Sequence, residues 1–366
     1  MLYRVIGMMS GSSLDGMDLV FAELQETGGK WTYEIKKSSC YPYSPEWKER
    51  LSNAIHLDAM NYVLLHADYG HYIGKQINAF ISEHQIDYQV GLIASHGHTT
   101  FHQPPRMTGQ LGEGAAIAAE TGLPVVCDLR ALDLAFGGQG APIVPLGEKM
   151  LLGQYAFFLN LGGIANISCR TSESYIAFDI CPANRVLNLL IAETGQEYDA
   201  EGRMASAGNV SQELLEKLND YAYYRKAYPK SLANTFGTDE IFPLIKSFDL
   251  NLNDALRTYV EHIAIQIKNS VKQIAYEIPE NQHIEMLVTG GGVFNNFLLE
   301  RIAETLAPIG INVKVAEPEL AMYKEALIMA FLGVLRWREE VTVLPSVTGA
   351  RKASIGGALW MGYNED

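Results

Sequence analysis

The segment 9–18, MSGSSLDGMD, is the first stretch of the chain in which residue types and spacing could do chemistry. Gly11 and Gly16 permit a tight turn with exposed main-chain amides. Ser12, Ser13 and Asp15 place two hydroxyl groups and one carboxylate at its tip. Such a turn can cradle phosphate groups and help to hold Mg²⁺. The same residues also suit a plain hairpin turn, and the sequence contains no Walker loop of the GxxxxGK type.

Two further glycine-rich turns follow apolar runs later in the chain. NLGGIANIS contains Gly162 and Gly163 between two predicted strands, where glycines would let the main chain approach a phosphate. TGGGVFNN, with Gly290, Gly291 and Gly292, lies at a predicted strand end that opens a helix. It lacks the GxGxxG spacing of a dinucleotide site, and the helix N-terminus behind it could face an adenosine or a phosphate. One such turn indicates little, whereas three glycine-rich strand ends favour phosphate binding.

The run ASHGHTTFHQP gathers His96, His98, Thr99 and His102 at the end of an apolar strand. Imidazole and hydroxyl groups in this position suit the hydroxyl groups of a sugar. A metal site is the alternative, although the spacing lacks the helical HExxH pattern and no nearby Cys or Glu completes a ligand set.

Charged residues lie at the ends of two predicted apolar strands, 124–130 and 174–181. Asp128 and Arg130 end one of them, with Asp133 close behind, so that a cation and two carboxylates could contact a ligand or form a structural ion pair. Asp179 ends the strand YIAFD, where a single carboxylate suits a general base. A structural role for Asp179 stays open at this stage.

Composition excludes several classes of protein. The chain has 366 residues, of which 48% are hydrophobic and 19% charged, as in a globular protein of about two domains. Its formal charge of −14 would repel nucleic acid and an anionic membrane surface. The four cysteines form neither a CxxC pair nor a zinc spacing, and no signal peptide or long apolar run is evident. We therefore expect a cytoplasmic protein with reduced thiols that binds neither nucleic acid nor membrane.

Strand and helix patterns alternate along the chain. Strands are predicted at 3–9, 17–23, 31–40, 91–97, 124–130, 156–169, 174–181, 285–292 and 311–316, and helices at about 45–82, 112–122, 186–193, 211–220, 252–277, 296–306 and from 323. The first two strands form a predicted β-hairpin. The Gly/Pro-rich segment 135–145 is the predicted joint, because the pattern restarts after it. We expect an α/β protein with lobes at 1–134 and 135–366, the C-terminal tail being free to pack back on the first.

These segments together resemble the anhydro-N-acetylmuramic acid kinase family, part of the superfamily of acetate and sugar kinases, chaperone ATPases and actin. The resemblance spans nearly the whole chain in order, and its motifs are GMMSGSSLDGMD, ASHGHTTFHQP, CDLRALDLAFGGQGAPIVP, NLGGIANIS, AFDICPAN, TGGGVFNNFLLERI, KEALIMAFLGVLR and PSVTGA. It implies a two-lobed actin-like, ribonuclease H-like α/β fold with a mixed five-stranded sheet flanked by helices in each lobe.

The resemblance also implies an ATP site and its residues. ATP would bind the first-lobe hairpin, which consists of Gly11, Ser12, Ser13, Leu14, Asp15, Gly16, Met17 and Asp18. Asp15 would be a ligand of Mg²⁺. The glycines at 162, 163, 290, 291 and 292 would supply further nucleotide contacts.

The implied reaction joins ring opening to phosphorylation. A water activated by Asp179 would attack the anomeric carbon of 1,6-anhydro-N-acetylmuramic acid, while the freed 6-oxygen takes the γ-phosphoryl group of ATP. The product would be N-acetylmuramic acid 6-phosphate, an intermediate of peptidoglycan recycling. Thr99, Asp128, Arg130 and Glu325 lie in segments expected to face the sugar, with Arg130 opposite its lactyl carboxylate. The resemblance leaves a homodimer open.

Two segments depart from the family pattern. FDTGPGN is replaced by FDICPAN, which puts Ile180, Cys181 and Ala183 in place of a threonine and two glycines. KSTGRE is replaced by KSLANT at 230–235. Because of these changes, another carbohydrate kinase of the superfamily, or a nucleotide-binding sensor without turnover, remains an alternative function.

Overall fold

Strands and helices alternate along the chain in a computed structural model, which describes residues 1–11, 14–172, 174–233, 235–274 and 284–363. The described residues form a seven-stranded and a five-stranded sheet, both mixed, with helices between the strands. The predicted α/β class is therefore confirmed. Among the helices in these ranges, none is both long and apolar enough to cross a membrane.

The elements up to residue 153 begin with three strands and continue with alternating helices and strands. They are β1 Leu2–Ser10, β2 Gly16–Thr27, β3 Lys30–Pro42, α1 Pro45–Ser52, a 3₁₀ turn Ala54–His56, α2 Ala59–His84, β4 Leu92–Gln103, β5 Met107–Leu111, α3 Gly114–Thr121, β6 Val125–Cys127, α4 Ala131–Ala135 and α5 Val144–Leu151. The predicted helical stretch 45–82 is two helices, because Asp58 accepts a hydrogen bond from Asn61 N and so caps a new helix.

The remaining elements repeat the strand–helix pattern. They are β7 Phe157–Leu161, β8 Ile164–Arg170, β9 Tyr175–Pro182, α6 Asn184–Ala192, α7 Arg203–Ser206, α8 Gln212–Asn219, α9 Phe242–Lys246, α10 Leu252–Gln273, β10 Ile284–Thr289, α11 Asn296–Leu306, β11 Ile311–Val315, α12 Pro318–Trp337, α13 Pro345–Thr348 and β12 Ala358–Trp360. Short 3₁₀ or π turns lie at Ala200–Gly202, Ala222–Arg225, Phe236–Ile241, Gly291–Phe294 and Ala307–Ile309. Residues 275–277 of the predicted helix 252–277 are outside the described residues.

The first sheet has the strand order β12-β6-β4-β1-β2-β3, with β5 paired to β4. β1, β2 and β3 are antiparallel neighbours, as the predicted hairpin requires, whereas β4 runs parallel to β1 and β6 runs parallel to β4. This sheet has seven strands, two more than expected. The additional strands are β5, which folds back on the long β4, and the C-terminal β12, which pairs with β6 at the edge of the sheet. These two strands are short, which explains why apolar periodicity does not reveal them.

The second sheet has the expected five strands among the described residues, in the order β11-β10-β7-β8-β9. β7, β10 and β11 are parallel, and the hairpin partners β8 and β9 are antiparallel. The central strands β7 and β10 are mostly apolar and buried, as expected where helices cover a parallel sheet.

The described chain divides into two compact units, residues 1–153 with 323–366 and residues 154–322. This division differs from the predicted boundary between 134 and 135. The glycine-rich segment 135–145 belongs to the first unit, where its main chain is held by Asp133 and Thr348. Gly140 N donates to Asp133 Oδ2 at 2.7 Å, and Gln139 N donates to Thr348 O at 2.8 Å.

The two faces of β1 are packed in different ways. Ile6 and Met8 on one face of β1 belong to the same apolar core as Tyr69 and Ile73 of α2. All four side chains are fully buried. On the other face, Gly7 lies against α12 so closely that a Cβ atom would be 1.9 Å from Ala326 O. Because side chains alternate along a strand, the small residue must occupy this one position.

We expect Gly7→Ala to destabilise the protein by about 1–3 kcal/mol, since the added methyl group meets helix main chain that cannot yield without moving α12. Gly91→Ala is the matched control, because its Cβ would meet only Arg4 O at 3.6 Å. Urea unfolding of the two variants would test this. Equal midpoints would show that α12 is free to shift.

Candidate functional site

Three polar segments of the first unit lie at the carboxyl ends of parallel strands. In the register of β1 with β4, Ser10 is opposite His98, and Ile93 of β4 is opposite Val125 of β6. Ligand sites of open α/β sheets lie at this edge. The pairing therefore places the hairpin after β1, the polar run of β4 and the Asp-Leu-Arg segment after β6 at one edge of one sheet.

The hairpin between β1 and β2 has a left-handed residue at its tip, Leu14 with φ 56°. Asp15 Oδ1 accepts a hydrogen bond from Gly16 N at 3.0 Å. A side chain at Gly16 would lie 2.6 Å from Cys40 Sγ, which is why glycine is needed there. Met17 is fully buried in the core. Two predicted contacts, Ser12 and Ser13, lie outside the described residues.

Asp18 is a partly buried carboxylate at the base of this hairpin. Its pKa is raised to about 6, mainly by burial; a hydrogen bond from the Cys40 thiol opposes this rise, and the charges of Asp15 and Glu325 contribute to it. Burial beside these carboxylates also raises the pKa of Cys40 to about 12. A cation bound here would relieve the repulsion between the carboxylates.

His96 and Arg130 form a partly buried pair behind the polar run. Arg130 Nε donates to His96 Nε2 at 2.9 Å, so His96 carries its proton on Nδ1, which lies 3.0 Å from Gly97 O. Burial and the neighbouring guanidinium lower the pKa of His96 to about 3. Arg130 Nη1 donates to Gly140 O at 2.7 Å. Burial lowers the pKa of Arg130 to about 10, which the charge of Glu325 partly offsets.

Within the predicted group of one cation and two carboxylates, Asp133 lies close enough to Arg130 for its charge to raise the pKa of the guanidinium. Asp133 is buried and accepts hydrogen bonds from Gly140 N and Thr348 Oγ1, both at 2.7 Å, so its role is structural. Asp128 has a left-handed φ of 52°. Burial raises the pKa of Asp128, and the main-chain N–H of Ala131 lowers it. Thr99 accepts a hydrogen bond from Gln110 Nε2 at 2.7 Å.

In the second unit, the two predicted glycine turns lie side by side. Gly290 has φ 86°, and a side chain on it would lie 2.7 Å from Asn160 Oδ1. A side chain on Gly292 would lie 2.6 Å from Leu161 Cβ. Gly162 and Gly163 have only ordinary contacts at the Cβ position. The turn at 290–292 therefore requires glycine so that the two strand ends can approach each other.

Asp179 is held mainly by main-chain groups. Its Oδ2 accepts a hydrogen bond from Leu232 N at 2.9 Å, and its own N–H donates to Lys230 O at 3.2 Å. Tyr223 donates its hydroxyl proton to Asp179 O at 2.7 Å. A bulge in the pairing of β8 with β9 occurs at Ile180, the residue after Asp179, and bulges of this kind redirect side chains at sheet edges. Burial raises the pKa of Asp179, and the Leu232 N–H partly opposes this effect.

The altered ICPAN segment contributes core side chains and main-chain contacts. Ile180, Cys181 and Ala183 are at most 1% exposed. Ala183 has φ −126°, outside the left-handed range that favours glycine, and its N–H donates to Gly163 O at 2.8 Å. In KSLANT, the contacts with Asp179 come from the main chain of Lys230 and Leu232, and Asn234 is outside the described residues.

Several residues around these groups are not evident from the sequence. Leu232 and Tyr223 hold Asp179, and Ser10, Tyr43 and Tyr69 form hydrogen bonds behind His98. The tyrosine-rich run 221–228 is a signal that could have pointed to Tyr223. Leu232 acts through its N–H, which no side-chain pattern reveals. In the described ranges, no three His, Cys, Asp or Glu side chains form a group that could hold a metal ion by themselves.

Glycine-rich strand ends and desolvated carboxylates define a class of α/β protein equipped to bind phosphate groups. A family model described as anhydro-N-acetylmuramic acid kinase matches residues 3–362. The chain belongs to the anhydro-N-acetylmuramic acid kinase family.

Relatives that carry this family name are similar over their whole length. The protein of Sulfurovum sp. (strain NBC37-1) is 33% identical over 371 residues, covering 98% of this chain and 99% of its own. That of Vibrio parahaemolyticus serotype O3:K6 is 32% identical, with 97% of each chain covered. That of Aliivibrio fischeri is 33% identical, with 96% of this chain and 98% of its own covered.

Solved structures include more distant likenesses. One is the activator of the 2-hydroxyisocaproyl-CoA dehydratase from Clostridium difficile with bound ADPNP, with a TM-score of 0.43, 12% identity and coverage of 92% of this chain and 96% of that one. Another is component A of the Acidaminococcus fermentans (R)-2-hydroxyglutaryl-CoA dehydratase, with a TM-score of 0.42, 14% identity and coverage of 90% and 97%.

We expect Leu232→Pro to raise the pKa of Asp179 further, because proline removes the N–H that stabilises the ionised carboxylate. Leu232→Ala keeps this N–H and is the control. The pKa can be followed by ¹³C NMR of protein labelled at aspartate carboxyl carbons, with Asp179 assigned through Asp179→Asn. The same pKa in both variants would show that the hydrogen bond has no effect on ionisation.

Proposed function

We propose that this protein is an ATP-dependent kinase that converts 1,6-anhydro-N-acetylmuramic acid and water to N-acetylmuramic acid 6-phosphate. The observation that carries the proposal is the environment of Asp179, a carboxylate whose pKa is raised by burial and whose orientation is fixed by main-chain hydrogen bonds. These are the properties of a general base held ready for one proton transfer. Family membership supports the substrate.

The proposed reaction balances with one water and one phosphoryl group. The oxygen of water bonds to the anomeric carbon, the bond between that carbon and the 6-oxygen breaks, and Asp179 takes a proton from the water. The 6-oxygen bonds to the γ-phosphorus of ATP, and ADP leaves. Because the carboxylate must be ionised to accept the proton, the reaction slows as the pH falls below the raised pKa of Asp179.

Residues of the hairpin 11–18 form the nucleotide side of the proposal. The carboxylates of Asp15 and Asp18 are hard oxygen donors of the kind that Mg²⁺ binds, and the charges of Asp15 and Glu325 act on Asp18, so that a divalent cation here would reduce the repulsion between like charges. The residues therefore fit Mg²⁺, which when bound would offset the charge of the transferring phosphate. The glycine turns at 162–163 and 290–292, which lie side by side, are the proposed further contacts with the nucleotide.

Thr99, Asp128, Arg130 and Glu325 form the sugar side of the proposal. Arg130 uses Nε and Nη1 for His96 and Gly140 O, whereas Nη2 has no hydrogen bond in the part of the chain that the structure describes. A guanidinium fixed in this way can donate a hydrogen bond from its Nη2–H group to the lactyl carboxylate. Its charge is favoured by Glu325. We place the reaction in the cytoplasm, as part of peptidoglycan recycling.

We expect Asp179→Asn to fold and bind ATP but to lose at least about 100-fold in kcat, because an amide cannot accept the proton of water. Turnover is measured by mass detection of the water-added phosphosugar with ATP, Mg²⁺ and 1,6-anhydro-N-acetylmuramic acid. More than about a tenth of the wild-type rate would reject the general-base role, given the usual size of such effects.

The wild-type assay separates the alternative functions. A panel of other sugars identifies a kinase of different specificity, and ATP binding without product from any sugar would indicate a sensor. Either result would overturn the proposed activity.

We expect Asp15→Ala to raise the Mg²⁺ concentration needed for half-maximal turnover and to leave sugar binding nearly intact. The substitution also removes a negative charge that raises the pKa of Asp18, so this pKa should fall. Calorimetric titration with sugar is the control measurement. An unchanged magnesium dependence would show that Asp15 shapes the hairpin and has no part in holding the cation.

A further inference from the structure

Four polar side chains form a continuous hydrogen-bonded chain inside the first unit. Tyr69 Oη is 2.5 Å from Tyr43 Oη, Tyr43 Oη is 2.7 Å from Ser10 Oγ, and Ser10 Oγ is 3.1 Å from His98 Nδ1. The residues come from α2, the segment after β3, the end of β1 and β4. None of them is more than 5% exposed. We refer to them as the Tyr-Tyr-Ser-His chain.

The direction of these hydrogen bonds follows from proton counting. Tyr43 donates its one hydroxyl proton to Ser10 Oγ, so the contact with Tyr69 requires Tyr69 to be the donor. Ser10 Oγ accepts from Tyr43 and lies 3.1 Å from His98 Nδ1, to which its own proton can be donated. Nδ1 therefore accepts.

A neutral imidazole has one N–H, which must then be on Nε2. Burial lowers the pKa of His98 to about 4, so the ring is neutral near pH 7. Within the described ranges, Nε2 forms no hydrogen bond. His98 thus keeps one N–H available, in contrast to His96, whose Nε2 accepts from Arg130.

The location of this N–H indicates what it would meet. Ser10 is the last residue of β1 before the hairpin, and it pairs with Met17 on β2 and with His98 on β4. His98 therefore lies at the base of the hairpin. A donor whose direction is fixed suits an oxygen that can only accept, such as that of a phosphate. A sugar hydroxyl can rotate to donate or accept and gains less from a fixed donor.

We propose that the Tyr-Tyr-Ser-His chain fixes His98 as the Nε2–H tautomer, and that this N–H donates a hydrogen bond to a phosphate oxygen of the nucleotide bound at the hairpin. Only the identity of the ligand rests on the proposed function. His98 contacts the nucleotide, whereas Ser10, Tyr43 and Tyr69 are positioning residues that act through it.

The first test is ¹H–¹⁵N NMR of the full-length protein labelled with ¹⁵N-histidine, with the ring of His98 assigned through His98→Gln. At pH 7 we expect the Nε2–H tautomer in the free protein. A non-hydrolysable ATP analogue with Mg²⁺ should shift the Nε2 signal, and 1,6-anhydro-N-acetylmuramic acid alone should leave it in place. An Nδ1–H tautomer, an imidazolium, or a shift with the sugar and none with the nucleotide would overturn the proposal.

The second test is calorimetric titration of the same analogue into positioning variants. Ser10→Ala removes the donor to Nδ1 and should raise the Kd about 3- to 10-fold, the range for loss of one hydrogen bond. His98→Ala should have at least this effect, and His98→Gln, which retains an N–H donor, should recover part of the affinity. Tyr43→Phe should weaken binding, whereas Tyr72→Phe should not, although Tyr72 stacks on Tyr69 with ring centroids 6.0 Å apart.

The two tests separate this proposal from the proposed activity. Neither needs turnover, so an inactive protein with the expected tautomer and nucleotide shift would reject the activity alone. The tautomer is measured in the wild-type protein, so it is decided even if a variant does not fold. An unchanged Kd in a folded Ser10→Ala variant, or equal effects of Tyr43→Phe and Tyr72→Phe, would contradict the positioning role.

Discussion

The contact between β1 and α12 at Gly7 constrains the rest of the first unit. A Cβ at this position would lie within 3.0 Å of Ala326 O and of two atoms of Ala330, so the strand and the helix touch main chain to main chain. Glu325, the neighbour of Ala326, is thereby held where its charge acts on Asp18 and on Arg130. A buried ion pair of Lys324 and Glu148, 2.6 Å apart, ties the same turn of α12 to α5. Breaking such a pair by removing one partner leaves an uncompensated charge, so this turn has little freedom to move.

In the second unit, Asp179 is held mainly by hydrogen bonds to main-chain groups, whereas side chains hold His98 in the first unit. Asp179 is oriented by the N–H of Leu232 and the carbonyl oxygen of Lys230, and Ala183 N bonds to Gly163 O. Main-chain donors and acceptors persist when side chains change, provided that φ and ψ can be kept. The departures from the family pattern in FDICPAN and KSLANT can therefore leave the surroundings of Asp179 intact. Their effect falls on the core, where Ile180 and Cys181 are buried.

Local patterns in the sequence predicted the parts of the fold that depend on local physics. Apolar runs gave the β1–β2 hairpin and the strands that lead to His96, Asp128 and Asp179, because burial on both faces of a sheet requires such runs. Glycine and proline in the segment 135–145 indicate turns, whereas the anchors of its main chain come partly from Thr348, more than 200 residues away in the sequence. Contacts of this kind depend on three-dimensional register, which composition cannot show.

The two histidines at 96 and 98 show how neighbours, more than residue type, decide the chemistry of a polar run. They lie two residues apart on one strand, and burial lowers both pKa values, to about 3 and about 4, so both rings are neutral near pH 7. A neutral histidine binds a metal through the lone pair of its unprotonated nitrogen. In His96 that lone pair accepts the Nε proton of Arg130, and in His98, with the tautomer inferred above, it accepts the hydroxyl proton of Ser10. Metal binding at either ring would have to break an existing hydrogen bond inside the protein and leave a buried donor unpaired, at a cost of about 1–3 kcal/mol each. The metal-site interpretation of this run is therefore the less favourable one, because both lone pairs that a metal would need are already in use.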